Sequence, residues 1–460
     1  MPALLPLLTA ATDQLSQLRE GGLELSLLQR ATGLLGLATI LAIAWLLSYD
    51  RRRVPWRLVG MGLLLQATFG VLVLKTTPGR WFFSKVGDVV NGLLLFSNEG
   101  AHFIFGDLIK DTVPVGVPGP GGALDTTAGF VASTTSSFAF GVLPTIIFFS
   151  SLMSVAYYLG VMQVVVKGLA WLMQRTLRTS GAETLSASGN IFLGQTEAPL
   201  LIKPFVEKLT KSELFTVMTG GFATVAGGVF AAYVMLLQGF FPDIAGHLLA
   251  AAVMNAPAGL LLSKIIRPET ETPMSRDALH VVVEKTDSNV VEAAASGAAT
   301  GVQLALNVGG MLIAFIALIA MVNFGIGWAG GLVGIEGLNL QTIFGVVLRP
   351  LTWAMGVPWH ETGYVGGLVG LKVVLTEFVA YAQFAGDVTA GTVTLSPRAT
   401  IITAYALLGF ANFASIGIQI GGIGGLAPSR RGDLARFGLR AMVAGNLAAF
   451  MSATLAGMIL

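Results

Sequence analysis

The stretch SGNIFLGQTEAPLLIKP, residues 188–204, decides how the chain is read. Asn190, Gln195, Thr196 and Glu197 form a polar cluster inside an apolar segment. One full helical crossing of a membrane takes about 20 apolar residues, so this segment is too short to cross and return as two full helices. It reads as a re-entrant hairpin. A second stretch, LTEFVAYA at 375–382, repeats the Thr-Glu pair as Thr376 and Glu377. Each pair is followed by a long apolar helix interrupted by small residues. The two stretches are the two halves of a membrane transport site, with the rest of the chain as scaffold and moving frame.

Composition supports a polytopic membrane protein. The 460 residues are 54% hydrophobic and only 11% charged, whereas soluble proteins carry about 25% charged residues. Cysteine is absent, which excludes a disulfide framework, a thiolate zinc site and a cysteine nucleophile. A net charge of +2 gives no case for a nucleic-acid partner. Asp13, Arg19, Glu20 and Glu24 interrupt the first thirty residues, and no basic start precedes them. That pattern is a short amphipathic helix at the membrane surface rather than a cleaved signal.

Apolar spans are expected at 31–48, 58–74, 138–159, 213–237, 244–266, 300–324, 399–420 and 437–459. The loop YDRRRVPWR at 49–57 carries Arg51, Arg52, Arg53 and Arg57, which places it in the cytoplasm and both termini outside. Residues 81–105 read as an interfacial helix. The Pro/Gly run VPVGVPGPGG at 113–122 is a linker that no helix crosses. Residues 138–173 exceed one span, and Gly160 is the expected break before a second interfacial helix. The charged loop 267–289 is expected in the cytoplasm, and the Gly-rich 325–348 outside or at the interface. A second hairpin is expected over 351–384, entering from the side opposite the first.

The expected fold is therefore an all-α polytopic membrane protein of eight transmembrane helices and two re-entrant hairpins, with interfacial helices. Residues 1–178 are mainly scaffold, and 179–266 form the first transport repeat. Residues 267–350 return to the scaffold, and 351–460 form the second repeat. The repeats are inverted, and broken helices meeting near the midplane point to a secondary transporter's binding site.

An ionised side chain at the centre of a membrane helix costs about 2.5–3.5 kcal/mol, so such a residue faces a cavity, pairs, or binds something. Glu197 is either an interfacial residue near Lys203 or part of a polar hairpin tip with Gln195 and Thr196, where Pro199 frees backbone groups. Glu377 either pairs with Lys372 or accepts hydroxyl groups of a ligand through charge-assisted bonds. The glycines around FATVA (Gly220, Gly221, Gly227, Gly228), and those at 409–425, serve close helix packing, local unwinding, or both. Unwound backbone at Thr224 and Val225, with Asn190, offers an all-oxygen shell that suits a hard cation such as Na⁺. Asn412 and Ser415 share one helix face, and Phe410 can pack on a planar ring. His360 and Glu361 do not make a zinc motif, because position 364 is Tyr, and no phosphate loop is present. With no ATP-binding domain in the chain, an ion gradient has to supply the driving force.

At GNIFLGQTEAPLLIKP, GFATVAGGVFAAY, TEFVAY and GFANFASIGIQIGGIGGLAPSRRGDLA the chain resembles the concentrative nucleoside transporter family, from about residue 139 to the C-terminus. The resemblance implies a homotrimer whose protomers hold a mobile transport domain moving like an elevator, and sodium- or proton-driven import of nucleosides. It implies that Gln195, Thr196 and Glu197 contact the nucleobase beside Val229. It assigns the ribose hydroxyls to Glu377, Asn412 and Ser415, with Phe410 lining the pocket. It also implies a sodium shell from the side chains of Asn190 and Thr224 and the carbonyls of Leu193, Thr224 and Val225. Because Asn190 and Thr224 keep oxygen ligands, sodium is the expected coupling ion and proton coupling the alternative. The expectation is a symporter of uridine-like nucleosides in a bacterial inner membrane, not an enzyme. An intramembrane enzyme or a channel is the reading from another class.

Overall fold

The computed structural model describes residues 27–110, 112–118, 124–125, 131–133, 138–275 and 287–459. Nearly all of them are helical, as an apolar solvent demands, because a helix satisfies its backbone amides internally. Among the described residues, six helical stretches are long and apolar enough to cross a membrane. The surface helix expected near the N-terminus falls largely on residues 1–26, outside those described.

Helices α1 (Leu27–Leu46) and α2 (Trp56–Leu74) flank the arginine loop. There Asp50 caps a short turn at Arg51–Arg53 and all three arginines are exposed. Helix α3 (Thr77–Phe105) starts four residues before the expected 81. Thr76 caps it by accepting from the Gly79 amide at 3.1 Å, and Pro78 is tolerated in a first turn. Its Trp81, Phe82, Leu95 and Phe96 are exposed, while Gly87, Leu94 and Ala101 are buried. The Pro/Gly run is not helical where it is described. Short antiparallel ladders pair Thr112 with Ser133 and Val117 with Asp125.

Helices α4 (Phe138–Tyr158) and α5 (Val161–Leu177) separate at Gly160, whose φ of 84° favours glycine. The first hairpin follows as α6 (Gly181–Gly189), a tip, a tight turn at Ala198–Ile202, and α7 (Lys203–Val206). Helices α8 (Lys211–Ala223) and α9 (Gly227–Leu237) are two halves of one broken helix, and α10 (Ile244–Ile266) completes the unit. Ser180 and Thr210 begin α6 and α8 with capping boxes to Glu183 and Glu213. Lys264, near the end of α10, pairs with Glu183 at 2.7 Å. That buried ion pair to α10, and the Ser180 hydroxyl donating to Glu213 of α8 at 2.6 Å, fasten the base of the first hairpin to the helices after it.

Helix α11 runs unbroken over Val290–Leu332, 43 residues. The helix extends beyond the expected span of 300–324 at both ends. Glycines at 325, 327, 330 and 331 stay helical, since glycine lowers helix propensity by only about 1 kcal/mol. The helix stops where Gly334 and Gly337 take φ of 75° and 72°. Short helices α12 (Leu340–Val347) and α13 (Arg349–Ala354) come next.

The second hairpin is α14 (Thr362–Val374) and α15 (Glu377–Thr389), not 351–384. Gly356, at φ 106°, and Pro358 turn the chain between α13 and α14. The Glu361 carboxylate accepts from the Ser396 amide at 2.7 Å and from its hydroxyl at 2.8 Å, tying the start of the hairpin to the next helix. That helix is also broken, as α16 (Pro397–Leu407) and α17 (Phe413–Leu426), and α18 (Arg431–Ile459) ends the chain. The order hairpin, broken helix, long helix thus occurs twice.

Helices α10 and α18 form the centre, with 89% and 83% of their apolar windows buried, against 22% for both α4 and α11. Helix α8 packs on α10 and α18, and α16 packs on α18. Helices α4 and α11 pair with each other along their lengths, and α9 rests on α4. Helices α1 and α2 pack on α18 and α10 respectively.

Candidate substrate and cation site

Two hairpin tips and two helix breaks converge on one cavity of about 140 Å³. From the first tip come Gln195, Thr196 and Glu197, and from the second come Thr376 and Glu377. Val229 lies just past the break before α9, and Phe410, Asn412 and Ser415 lie at the break before α17. Leu304, Val308, Met311 and Leu312 of α11 form the facing wall. All eight residues expected at the substrate site therefore line one space.

The second carboxylate is fully organised. Glu377 is 3% exposed. Tyr233 donates its hydroxyl to Oε1 at 2.7 Å, and Asn412 donates Nδ2 to Oε2 at 2.9 Å. Asn412 caps α17, its Oδ1 accepting from the Ser415 amide at 2.9 Å. One side chain thus starts a helix and orients a carboxylate. The alternative pairing of Glu377 with Lys372 is not formed: the two do not come within 4.0 Å, and Lys372 bonds to backbone carbonyls instead.

The first tip is held by amides. Gln195 donates to Ser415 Oγ at 3.2 Å and accepts from Gln419 at 3.1 Å, while Gln419 also donates to the Met218 carbonyl. Glu197 folds back on its own loop, where Oε2 accepts from the Gly194 amide. It lines the cavity and makes no ion pair with Lys203, which is exposed. The interfacial reading of Glu197 is thereby set aside. Gly221 is required by packing, since a Cβ there would sit 2.8 Å from Gln419 Nε2 and 2.9 Å from Gln195 Cβ.

Of the four residues expected at the ion, Asn190 and Leu193 lie on the first tip and Thr224 and Val225 at the break between α8 and α9. Asn190 ends α6 wholly buried, and neither its Oδ1 nor its Nδ2 has a hydrogen-bond partner. Leaving a buried amide unpaired costs about 1–3 kcal/mol, which is relieved if a ligand takes up the oxygen. Thr224 is extended, at φ −128° and ψ 178°, and its hydroxyl donates to the Gly220 carbonyl at 2.9 Å. The Phe192 carbonyl accepts from the Gly227 amide at 3.0 Å and clasps the tip loop to the break. Among the described residues no hydrogen bond reaches the carbonyl oxygens of Leu193 and Val225. The Thr224 carbonyl already accepts from the Phe410 amide at 3.2 Å. Neutral oxygens and an orphaned buried amide are, by their chemistry, a donor set that suits a hard monovalent cation.

Several participants were missed at the level of sequence. Tyr233 sits in an apolar run that reads as core. Asn255 donates to the Ala223 carbonyl at 2.7 Å and Asn446 to the Ala411 carbonyl at 2.8 Å, each serving an opened helix. Their signal was available, because a polar side chain inside a membrane span is costly unless it has a task. The apolar wall from α11 carries no such signal.

Comparison with known proteins agrees with this geometry. Residues 35–108 match the family description "Na+ dependent nucleoside transporter N-terminus", 139–240 match "Nucleoside recognition", and 247–457 match "Na+ dependent nucleoside transporter C-terminus". The chain is 44% identical over 427 residues to "Uncharacterized transporter YutK" of Bacillus subtilis (strain 168), covering 93% of this chain and 98% of that one. It is 42% identical over 437 residues to "Sodium/nucleoside cotransporter 1" of Mus musculus, covering 92% of this chain and 63% of the mouse protein. The structure of CNTnw in an inward-facing substrate-bound state superposes with a TM-score of 0.81 at 43% identity, over 93% of this chain and 97% of that one. A variant of CNTnw in an outward-facing state gives 0.82 over 94% and 97%. The protein belongs to the concentrative, Na⁺-dependent nucleoside transporter family.

Proposed function

We propose that the cavity between the hairpin tips holds the nucleoside during sodium-coupled symport by alternating access. The observation that carries this reading is the buried Glu377 carboxylate, aimed at the cavity and held by Tyr233 and Asn412. A carboxylate fixed at both oxygens has further lone pairs for ribose hydroxyls, and such charge-assisted bonds are the strong ones. Asn412 and Ser415 share this duty. Gln195, Thr196 and Glu197 offer an amide, a hydroxyl and a carboxylate to the polar edge of a base, with Val229 and Phe410 against its faces. Sodium binds Asn190, Thr224 and the carbonyls of Leu193 and Val225. Filling that site firms the first tip, so the ion favours the nucleoside-binding arrangement. One charge moving through 100 mV supplies about 2.3 kcal/mol.

The packing supports an elevator motion. The cavity lies where the hairpin repeats meet α11, so sliding the repeats along α4 and α11 carries the site from one membrane face to the other as an elevator. Ile313, Met321 and Phe324 of α11 are exposed, which suits contact with a second and third copy in a homotrimer. Eight spans, a cytoplasmic arginine loop and external termini in a bacterial inner membrane complete the reading.

The test is uridine uptake into liposomes holding the purified protein, with a sodium or a proton gradient imposed alone. Accumulation with sodium alone is expected. Accumulation with protons alone would remove the sodium site and keep the transporter. No accumulation of uridine under either gradient would refute the uridine-like assignment.

A further inference from the structure

The two broken helices carry near-copies of one motif, GFATVA at 221–226 and GFANFA at 409–414. Opening a helix frees carbonyls at the end of its first half, which is also the negative end of that half's dipole. At the first break those carbonyls meet Asn255 and the cation site. At the second break a positive group is already built in. Lys372, from the last turn of α14, donates Nζ to the Ala406 carbonyl at 2.8 Å and the Leu408 carbonyl at 3.1 Å. Its side chain is 0% exposed. Among the described residues no carboxylate makes an ion pair with it, and the Phe450 ring lies 5.7 Å from Nζ to centroid.

We propose that Lys372 is a tethered cation that does for the second break what sodium does for the first. A strongly hydrated ammonium enters the core at a cost that its hydrogen bonds must offset, and here two of its donors hold the Ala406 and Leu408 carbonyls at the end of α16. Those carbonyls set the course of the chain through Gly409, whose φ is 113°, to Phe410 and Asn412. Lys372 is therefore a positioning residue for the ribose end of the site, acting through the backbone without touching the nucleoside. The two hairpins do the same work on opposite breaks, one by delivering a mobile ion and one by delivering a fixed one. The proposal rests on the cavity being the nucleoside site.

The experiment measures uridine binding by calorimetry in saturating sodium, with the sodium-induced rise in Tm recorded separately. Lys372→Met keeps the length and removes the donor. It is expected to weaken uridine binding roughly tenfold or more while the sodium-induced rise in Tm persists. Lys372→Ala should lose binding likewise and regain it in n-propylammonium chloride but not in n-propanol. Uridine affinity in Lys372→Met within about twofold of the unaltered protein would overturn the proposal. So would a Lys372→Ala protein indifferent to n-propylammonium. Should the methionine variant not fold, the alanine arm decides, with recovery of folded protein as its readout. Failure of the unaltered protein to bind uridine would instead overturn the nucleoside reading, a result distinct from a selective failure of the lysine variants.

Discussion

At the scale of the residue, the site is built from polar groups that would be costly to bury without a function. Glu377 and Asn190 are the two extremes. Glu377 has a protein partner on each oxygen, whereas Asn190 has none. Their substitutions should separate nucleoside from ion. Glu377→Gln keeps the shape and removes the charge. Hydrogen bonds to charged groups are worth about 1.5–3 kcal/mol, so uridine affinity should fall roughly 10- to 100-fold. The sodium-induced thermal shift should remain. Unchanged uptake by this variant would sink the ribose assignment. Asn190→Ala should raise the sodium concentration for half-maximal uptake about tenfold, the equivalent of one lost ligand of ~1.4 kcal/mol. Uridine KM at saturating sodium should move little. An unaltered sodium dependence would take Asn190 out of the ion site.

At the scale of the element, what matters is where helices stop. The chain breaks helices at 224–226 and 408–412 and keeps α11 intact through four glycines. Glycine content alone does not distinguish the two outcomes. Gly409 shows what does: its φ is 113°, and a Cβ there would lie 2.8 Å from the Phe222 carbonyl oxygen and 2.9 Å from that of Ala223. The second break is thus pressed against the first, and only glycine fits the contact. Gly409→Ala should cost at least ~1–3 kcal/mol from backbone strain alone, read as a lowered Tm and weakened binding of both sodium and uridine. Gly417→Ala, with nothing within 4 Å of the added Cβ, serves as its control. Equal Tm values for the two variants would show that the breaks do not support each other.

At the scale of the whole molecule, the cavity is shared between a polar half on the repeats and an apolar half on α11. A site divided this way changes shape whenever one body slides past the other, which is how a nucleoside can be exposed to one side at a time. The chain has no cysteine, so any introduced pair reports without background. Leu304→Cys combined with Ile418→Cys places one thiol on each body at the cavity wall. Cross-linking the pair should abolish uptake, and reductant should restore it. Each single variant should transport before and after oxidation. Continued uptake by the cross-linked protein would exclude sliding of the repeats along α11.

Local sequence was sufficient for the class of protein, both tips and the polar residues facing the cavity. Hydropathy is read along the chain, and a Thr-Glu pair inside an apolar run is conspicuous wherever the run ends up. Asn190, Thr224 and Val225 stood out as candidate ion ligands for the same reason, as oxygens beside glycines in a span. Tertiary structure decided the partners. Tyr233 meets Glu377 across 144 residues and Gln419 meets Gln195 across 224, distances over which no periodicity carries information. It also decided between rival roles: Lys372 is a neighbour of Glu377 in sequence, yet it bonds to the end of α16. The boundaries of α11 and of the second hairpin were equally out of reach. In apolar surroundings a helix continues until another element takes over its backbone hydrogen bonds, and those elements are supplied by the fold.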